Sequence, residues 1–292
     1  MREWLRRIGV GVLVLLALVL AAGSAAFAIG TARIDDVPEV DTHAFDASTG
    51  DATSGAELVR VFGCIDCHGG KLEGRMLVDA TPMGRVAAPN LTPGRAGGPL
   101  TDEQWERAIR HGVGADGRAL FILPSNDYVW LSDRDVADLI AYLRTVPAVP
   151  DTLPPRGFGP LGRTLVGLGM IDFAPDLMPP DARHLDAPAR AATPEYGFYL
   201  TRLCAGCHGR NLAGGPMPMP GSPLAANLTP AGNLARWTYE DFERTLRTGV
   251  TPEGKSLDPM FMPWPSIGQS DDTALRAMWA YLKTLEPVAT EE

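Results

Sequence analysis

The chain has 292 residues, 45% hydrophobic and 21% charged, with 26 prolines, 32 glycines and a formal net charge of −9. That length suits two small domains with connections better than one compact unit, and the balance of apolar to charged residues excludes wholesale disorder. The acidic balance argues against a nucleic-acid partner.

The N-terminal segment, residues 1–33, opens "MREWLRR" and then runs without charge from Ile8 through Ile29, 22 residues. At about 1.5 Å of rise per residue, a helix of that length matches a hydrocarbon core of roughly 30 Å. Arg2, Arg6 and Arg7 precede the run, so the positive-inside bias holds the N-terminus in the cytoplasm and sends the rest outward. The alternative is a signal peptide cleaved near "AFA", Ala26 to Ala28. Export follows from either reading. Without Arg2, Glu3, Arg6, Arg7 and Arg33 the net charge of the remainder is −12.

The first domain is expected over 50–147. A short helix carrying Leu58, Val59 and Phe62 leads into "CIDCH", Cys64 to His68, and the later "CAGCH", Cys204 to His208, takes the other two of the four cysteines. No cysteine is left for a separate disulfide framework. Cys-x-x-Cys alone is compatible with a redox disulfide or half of a zinc site, and the histidine that follows each pair shifts the reading to covalent haem c. Two thiols on one helical turn reach the two vinyl groups of a porphyrin, and the next residue presents an imidazole to the iron. Two haem c groups are therefore expected, held by Cys64, Cys67 and His68 and by Cys204, Cys207 and His208.

A Gly- and Pro-rich loop with "APNLTP" (88–93) follows the first motif, and Asn90 is either a turn former or a support for contacts to the cofactor. The middle helix is expected to start at the N-cap Thr101 and end at Gly112. The loop "ALFILPSND" (119–127) leads to a last helix with Val136, Leu139, Ile140 and Leu143 on one face. A Pro-rich linker, 148–190, contains one apolar patch, Leu161 to Ile171, whose simplest role is a strap over the domain interface, the alternative being a membrane-contacting or partner-docking helix. The second domain, 191–288, repeats the first: "AANLTP" matches "APNLTP" and "YEDFERTLRTGV" matches "DEQWERAIRHGV" at an offset of 137, and "AYLKT" matches "AYLRT" at 139. Two residues are thus inserted in the second copy. Strand signals are nearly absent, so the expected class is all-α, two tandem units too small to bury much core without the cofactor as apolar filler.

With "CIDCHG", "APNLTP", "AIRHGVGADGRAL" and "IAYLRTVP" in the first half and "CAGCHG", "AANLTP", "MPWPSIG" and "AYLKTLEPV" in the second, the chain resembles exported, often membrane-anchored di-haem cytochromes built from two class I cytochrome c domains. That family is related to the cytochrome subunits of periplasmic alcohol and sugar-acid dehydrogenases, which usually carry three such domains where this chain has two. The resemblance implies a methionine before proline as sixth iron ligand, which falls on Met262; Met260 is the runner-up, and Met217 and Met219 precede the second "NLTP" loop. Leu123 stands at the matching position of the first copy and cannot ligate iron. Three readings follow: an open distal face, a substitute ligand from Met76, Met83 or His111, or a ligand from outside the domain such as His43, His184 or a partner.

The functional expectation is a periplasmic cytochrome tethered to the inner membrane by its N-terminal helix, passing electrons between a respiratory or dehydrogenase donor and a terminal acceptor. Its partners would be redox proteins: a membrane oxidoreductase complex, a periplasmic dehydrogenase or a small cytochrome. The alternative is a di-haem peroxidase or small-molecule oxidoreductase working at an open first site.

Overall fold

A computed structural model describes residues 1–40, 45–217 and 221–290. Helix α1 (Arg2–Asp35) is one uninterrupted rod. The first copy follows as α2 (Ala52–Val61), α3 (Cys64–His68), strands β1 (Arg75–Ala80) and β2 (Gly84–Ala88), α4 (Asp102–His111), α5 (Ser125–Tyr128) and α6 (Asp133–Thr145). The connecting segment contributes β3 (Gly157–Phe158) and α7 (Pro160–Gly167). The second copy contains α8 (Pro194–Thr201), α9 (Ala205–His208), α10 (Tyr239–Thr248), α11 (Trp264–Ile267) and α12 (Asp272–Leu282).

The first and last helices of each copy cross on a glycine. A Cβ at Gly55 would lie 2.0 Å from Asp138 O on α6, and one at Gly197 would lie 1.9 Å from Ala277 O on α12. Without side chains at those points the backbones touch. Leu58, Val59 and Phe62 then bury against Val136, Leu139, Ile140 and Leu143, and Tyr196, Tyr199 and Leu200 against Leu275, Met278 and Leu282. The middle helices are closed as their sequences predict. Thr101 forms a capping box with Gln104 and Thr238 one with Asp241; Gly112 and Gly249 end them in left-handed geometry, φ 68° and 70°.

The all-α expectation needs correction. β1 and β2 form an antiparallel hairpin with Met76 opposite Ala87 and Val78 opposite Val86, and β3 joins β2 with Gly84 opposite Phe158. The strands carry Arg75, Asp79 and Arg85 and lie half exposed, so no apolar run announced them. β3 comes from the connecting segment, a pairing that local sequence does not encode.

The apolar patch of that segment also lies elsewhere than expected. α7 packs against α1 instead of covering the junction of the two copies, and its Val166 joins Ile34, Ala119, Phe158 and Phe173 in a small core. The segment then runs along α6, where the Arg190 guanidinium reaches both Asp135 (3.0 Å) and Asp138 (2.9 Å).

Gly197→Ala is expected to lower stability by about 1–3 kcal/mol, because the new methyl meets backbone and the helices must part; that loss exceeds the gain in helix propensity of about 1 kcal/mol. Thermal unfolding followed by circular dichroism measures it. Gly70→Ala, where the added Cβ meets nothing within 4 Å, is the control and should leave Tm unchanged.

Candidate haem-binding sites

Each site is built outward from one histidine. His68 closes α3 and His208 closes α9, and both imidazoles are buried, 9% and 8% exposed. Their Nδ1 atoms lie 2.7 Å from Pro89 O and 2.7 Å from Ala226 O. A carbonyl oxygen only accepts, so Nδ1 carries the proton in both rings and Nε2 keeps its lone pair. Among the described residues neither Nε2 has a hydrogen-bond partner. Burial holds both imidazoles below their usual range, with the carbonyl bond opposing, and leaves them neutral, the form that binds a metal.

Loops of different length that share the same anchoring bonds supply the two carbonyls. Leu72 N and Leu212 N each donate at 2.9 Å to Gly69 O and Gly209 O, and Gly74 N and Gly214 N donate to His68 O and His208 O at 2.7 and 2.8 Å. Leu72 and Leu212 adopt left-handed φ of 60° and 59°, an uncommon choice for leucine, and both side chains are buried. Leu91 N and Leu228 N return to Leu72 O and Leu212 O, which brings "NLTP" back over the loop. Asn90 is a clamp: its Oδ1 accepts from Thr92 N (2.8 Å) and its Nδ2 donates to Val149 O (2.7 Å), beyond the end of α6. Asn227 repeats this with Thr229 N (2.8 Å) and Val288 O (2.8 Å).

None of the four cysteines is paired in a disulfide. Burial pushes Cys64 and Cys204 up to about 12, and Cys67 and Cys207 are also raised. Zinc binding and disulfide exchange use thiolates, which electropositive surroundings stabilise; Cys64 and Cys204 sit against apolar core. Paired unactivated thiols beside a neutral, oriented imidazole with a spare lone pair fit a thioether-linked porphyrin.

Leu123 and Met262 occupy equivalent places. Ser125 N donates to Leu123 O (2.9 Å) and Trp264 N to Met262 O (2.7 Å), and the prolines that follow have φ/ψ of −80°/56° and −76°/49°. Both side chains pack half-buried against the core. Leu120 N and Leu257 N make matching bonds to Gly112 O and Gly249 O, so the two inserted residues fall between Leu257 and Met262. Met260 is 74% exposed. Met217 lies in the loop between Gly215 and Ala225, which pair as a bridge, and Met219 and His43 lie outside the described residues.

The other expected substitutes at the first site are engaged elsewhere. Met76 lies in β1 and Met83 in the turn to β2, where Met83 O accepts from Gly159 N. His111 Nε2 is 3.1 Å from Glu106 Oε1, and His184 Nδ1 is 3.6 Å from Asp133 Oδ1. Burial alone would raise the Glu106 carboxyl, but the bonds from His111 and Arg110 hold it below its usual range.

The two motifs meet at the junction of the copies through reciprocal contacts that sequence reasoning did not find. Asp66, inside the first motif, accepts from Ser266 Oγ, four residues beyond Met262. Asp127, four residues beyond Leu123, lies over Gly206 inside the second motif, where a Cβ would come within 2.3 Å of its Oδ2. Positions 66 and 206 correspond, as do 266 and 127, so each motif is covered by the other copy's helix after the ligand position. The signal was present in the repeat: Asp stands against Gly in one pair and Ser against Asp in the other. Tyr199 Oη accepts from Ser132 N (2.9 Å), Glu57 Oε1 accepts from Asp271 N (2.8 Å), and the Arg202 guanidinium stacks 4.1 Å over the Trp130 ring.

Comparison with known proteins supports the same assignment for both halves. Residues 50–143 match the family described as cytochrome C oxidase, cbb3-type, subunit III, and residues 196–286 match the cytochrome c family. A protein of Cereibacter sphaeroides called "Diheme cytochrome c-type" is 28% identical over 94% of this chain and 97% of its own length. This chain belongs to the di-haem c-type cytochromes. Its cofactors are two covalently bound haem c groups. The di-haem cytochrome is also 30% identical to the fructose dehydrogenase cytochrome subunit of Gluconobacter japonicus over 76% of this chain and 50% of that one. It is 27% identical to the cytochrome c subunit of a quinone-type alcohol dehydrogenase of Gluconacetobacter polyoxogenes, over 83% and 58%. The chain thus spans about half the length of these two dehydrogenase subunits.

In the di-haem cytochrome the Asp127 carboxyl is the most perturbed acid of the junction: burial pushes it up to about 7. Its unfolded value is near 3.8, so between about pH 4 and 7 the native state binds the extra proton and stability falls as pH rises through that window. Asp127→Asn removes the slope. Denaturant unfolding of the haem-loaded protein at pH 4.5, 6 and 8 should show the variant gaining on wild type by about 2–4 kcal/mol across the series.

Proposed function

We propose that this cytochrome carries electrons, one at a time, from a dehydrogenase or respiratory donor to a further acceptor, on the periplasmic side of the inner membrane and tethered by α1. The observation that carries this reading is the reciprocal covering of the two haem motifs, which sets both sites into one body at the junction of the copies. The kinship with dehydrogenase cytochrome subunits supports a dehydrogenase as donor. The continuous α1, whose final turns pack against α7 through Ala26 and Gly30, supports a retained anchor over a cleaved leader.

In this reading Cys64 and Cys67, and Cys204 and Cys207, would hold the porphyrins as thioethers, with His68 and His208 as iron ligands, and Met262 would supply a further donor at the second site. When bound, the haem irons supply reversible one-electron exchange between ferric and ferrous states, the donor being oxidised and the acceptor reduced. The chain supplies the rest: carbonyl-fixed imidazoles, a thioether that favours the ferrous state at the second site, and an apolar surround that keeps water out. Leu123 gives the first site an apolar lid without a donor atom, so the two sites differ in potential, the second being higher.

The peroxidase alternative requires an acid and a base above the open face. Asp127, the nearby acid with a raised value, is turned to the second motif and lies over Gly206, which leaves the electron-transfer reading favoured.

Carbon monoxide titration of the fully reduced protein, followed in the visible spectrum, tests the ligand assignment. One equivalent should bind to wild type, none to Leu123→Met, and two to Met262→Ala. Electron paramagnetic resonance of the oxidised wild type should show one high-spin and one low-spin centre. Two low-spin centres and no carbon monoxide binding would require another donor at the first site. The carrier role is checked by stopped-flow reduction with a quinone-linked dehydrogenase and reoxidation by a soluble cytochrome: both haems should turn over, and peroxide should not replace the acceptor.

A further inference from the structure

The connecting segment carries a surface that electron transfer does not use. Apart from α1, ten large apolar residues are exposed among the described residues, and four fall within one short stretch: Leu161 (42%), Leu168 (59%), Met170 (70%) and Leu177 (52%). Leu161 lies in α7 and Leu168 and Met170 directly follow it, and between Gly157 and Ile171 the only charged residue is Arg163.

The contact of α7 with α1 fixes where this surface lies. A Cβ at Gly30 would stand 1.8 Å from Arg163 O, and one at Gly167 would stand 1.7 Å from Ala26 O. The backbones therefore touch at two levels, and the pairing of 163 with 30 and 167 with 26 makes the helices antiparallel. α7 descends alongside α1 toward its N-terminus. Ala26 lies inside the uncharged run that ends at Ile29, about 5 Å below that end at 1.5 Å per residue. The turn after α7, Leu168–Gly169–Met170, continues from that level and carries the most exposed apolar side chains of the segment. On its other faces α1 stays exposed and apolar through Phe27 (40%) and Ile29 (52%) at the same height.

We infer that α7 and the turn Leu168–Met170 form a wedge that enters the outer leaflet at the boundary between headgroups and acyl chains, so that the protein meets the bilayer at two points. The occupant of this face is phospholipid. The apolar level of α1 places the turn about 5–10 Å into the boundary, the usual depth of an interfacial helix. Arg163 donates its Nε to Phe158 O (3.0 Å) at the upper end, near the headgroups, and Arg33 pairs with Asp176 at 2.8 Å above it. One helix through a membrane leaves its cargo free to swing; a second contact beside it fixes the tilt of both haem-bearing units relative to the membrane plane. This inference rests on the reading of α1 as a retained anchor.

The test uses the full-length, haem-loaded protein in vesicles of phosphatidylethanolamine and phosphatidylglycerol. The four native cysteines are consumed by thioether bonds, so a single introduced cysteine takes a nitroxide label. Power-saturation measurements with oxygen and a nickel chelate then report depth. Leu168→Cys and Met170→Cys should be more accessible to oxygen than to the chelate, at a shallow depth, whereas Leu224→Cys, on an exposed apolar residue of the second copy (69%), should report water. Val14→Cys reports on the anchor and should lie deep. If Val14→Cys lies deep and both wedge positions report water, the wedge is overturned and the anchor stands. If Val14→Cys also reports water, the anchor reading fails and takes the wedge with it. Because all four positions are exposed, folding is not at stake, and the unchanged visible spectrum of each variant confirms it.

Discussion

The hydrogen bond from a histidine Nδ1 to a loop carbonyl is the constraint on which the rest of each unit depends. It fixes the tautomer, aims Nε2, and forces the chain after each motif to come back over it, so that Pro89 and Ala226 stand where they do. The left-handed leucines, the glycines before and after them and the asparagine clamps are the means of holding that return loop. The clamps also reach the chain beyond the last helix, at Val149 and Val288. Loop, helix crossing and cofactor site are therefore one mechanical unit, built twice.

What differs between the copies is as informative as what repeats. The proximal sides repeat the same anchoring hydrogen bonds on return loops that differ by three residues, and the distal loops differ by two residues and, at the ligand position, by Leu123 against Met262. On the proposed reading, a thioether donor at Met262 would favour the reduced state at that end and so give the carrier a direction. The junction uses the same asymmetry: Asp66 accepts from Ser266 of the other copy, while Asp127, which accepts from its neighbour Asn126 Nδ2 at 3.3 Å, lies over Gly206. Each copy thus completes the surroundings of the other's motif, and neither site is finished in a single copy.

The connecting segment serves the α1 end of the molecule. It adds β3 to the first copy's hairpin, buries Val166 beneath Ile34 and aligns α7 with the last turns of α1. The Gly30 and Gly167 contacts require backbone proximity that any side chain would block, so the packing of α1 onto the folded part is specific to these sequences.

By itself the sequence determined the duplication, the haem motifs, the apolar run, the caps of the middle helices and the Leu-for-Met exchange, because each is a local pattern of residue types at fixed spacing. The helical crossings were legible only as apolar stripes; the glycines on which they turn have no periodic signature. Tertiary structure alone decided that "RMLVDA" and "GRVAA" pair as strands, since half-exposed strands with charges have no apolar alternation to read. It also decided that the linker patch follows α1 and that Asp66 and Asp127 face the opposite copy. Those outcomes depend on surfaces brought together from distant parts of the chain, where geometry rather than local propensity chooses the partner.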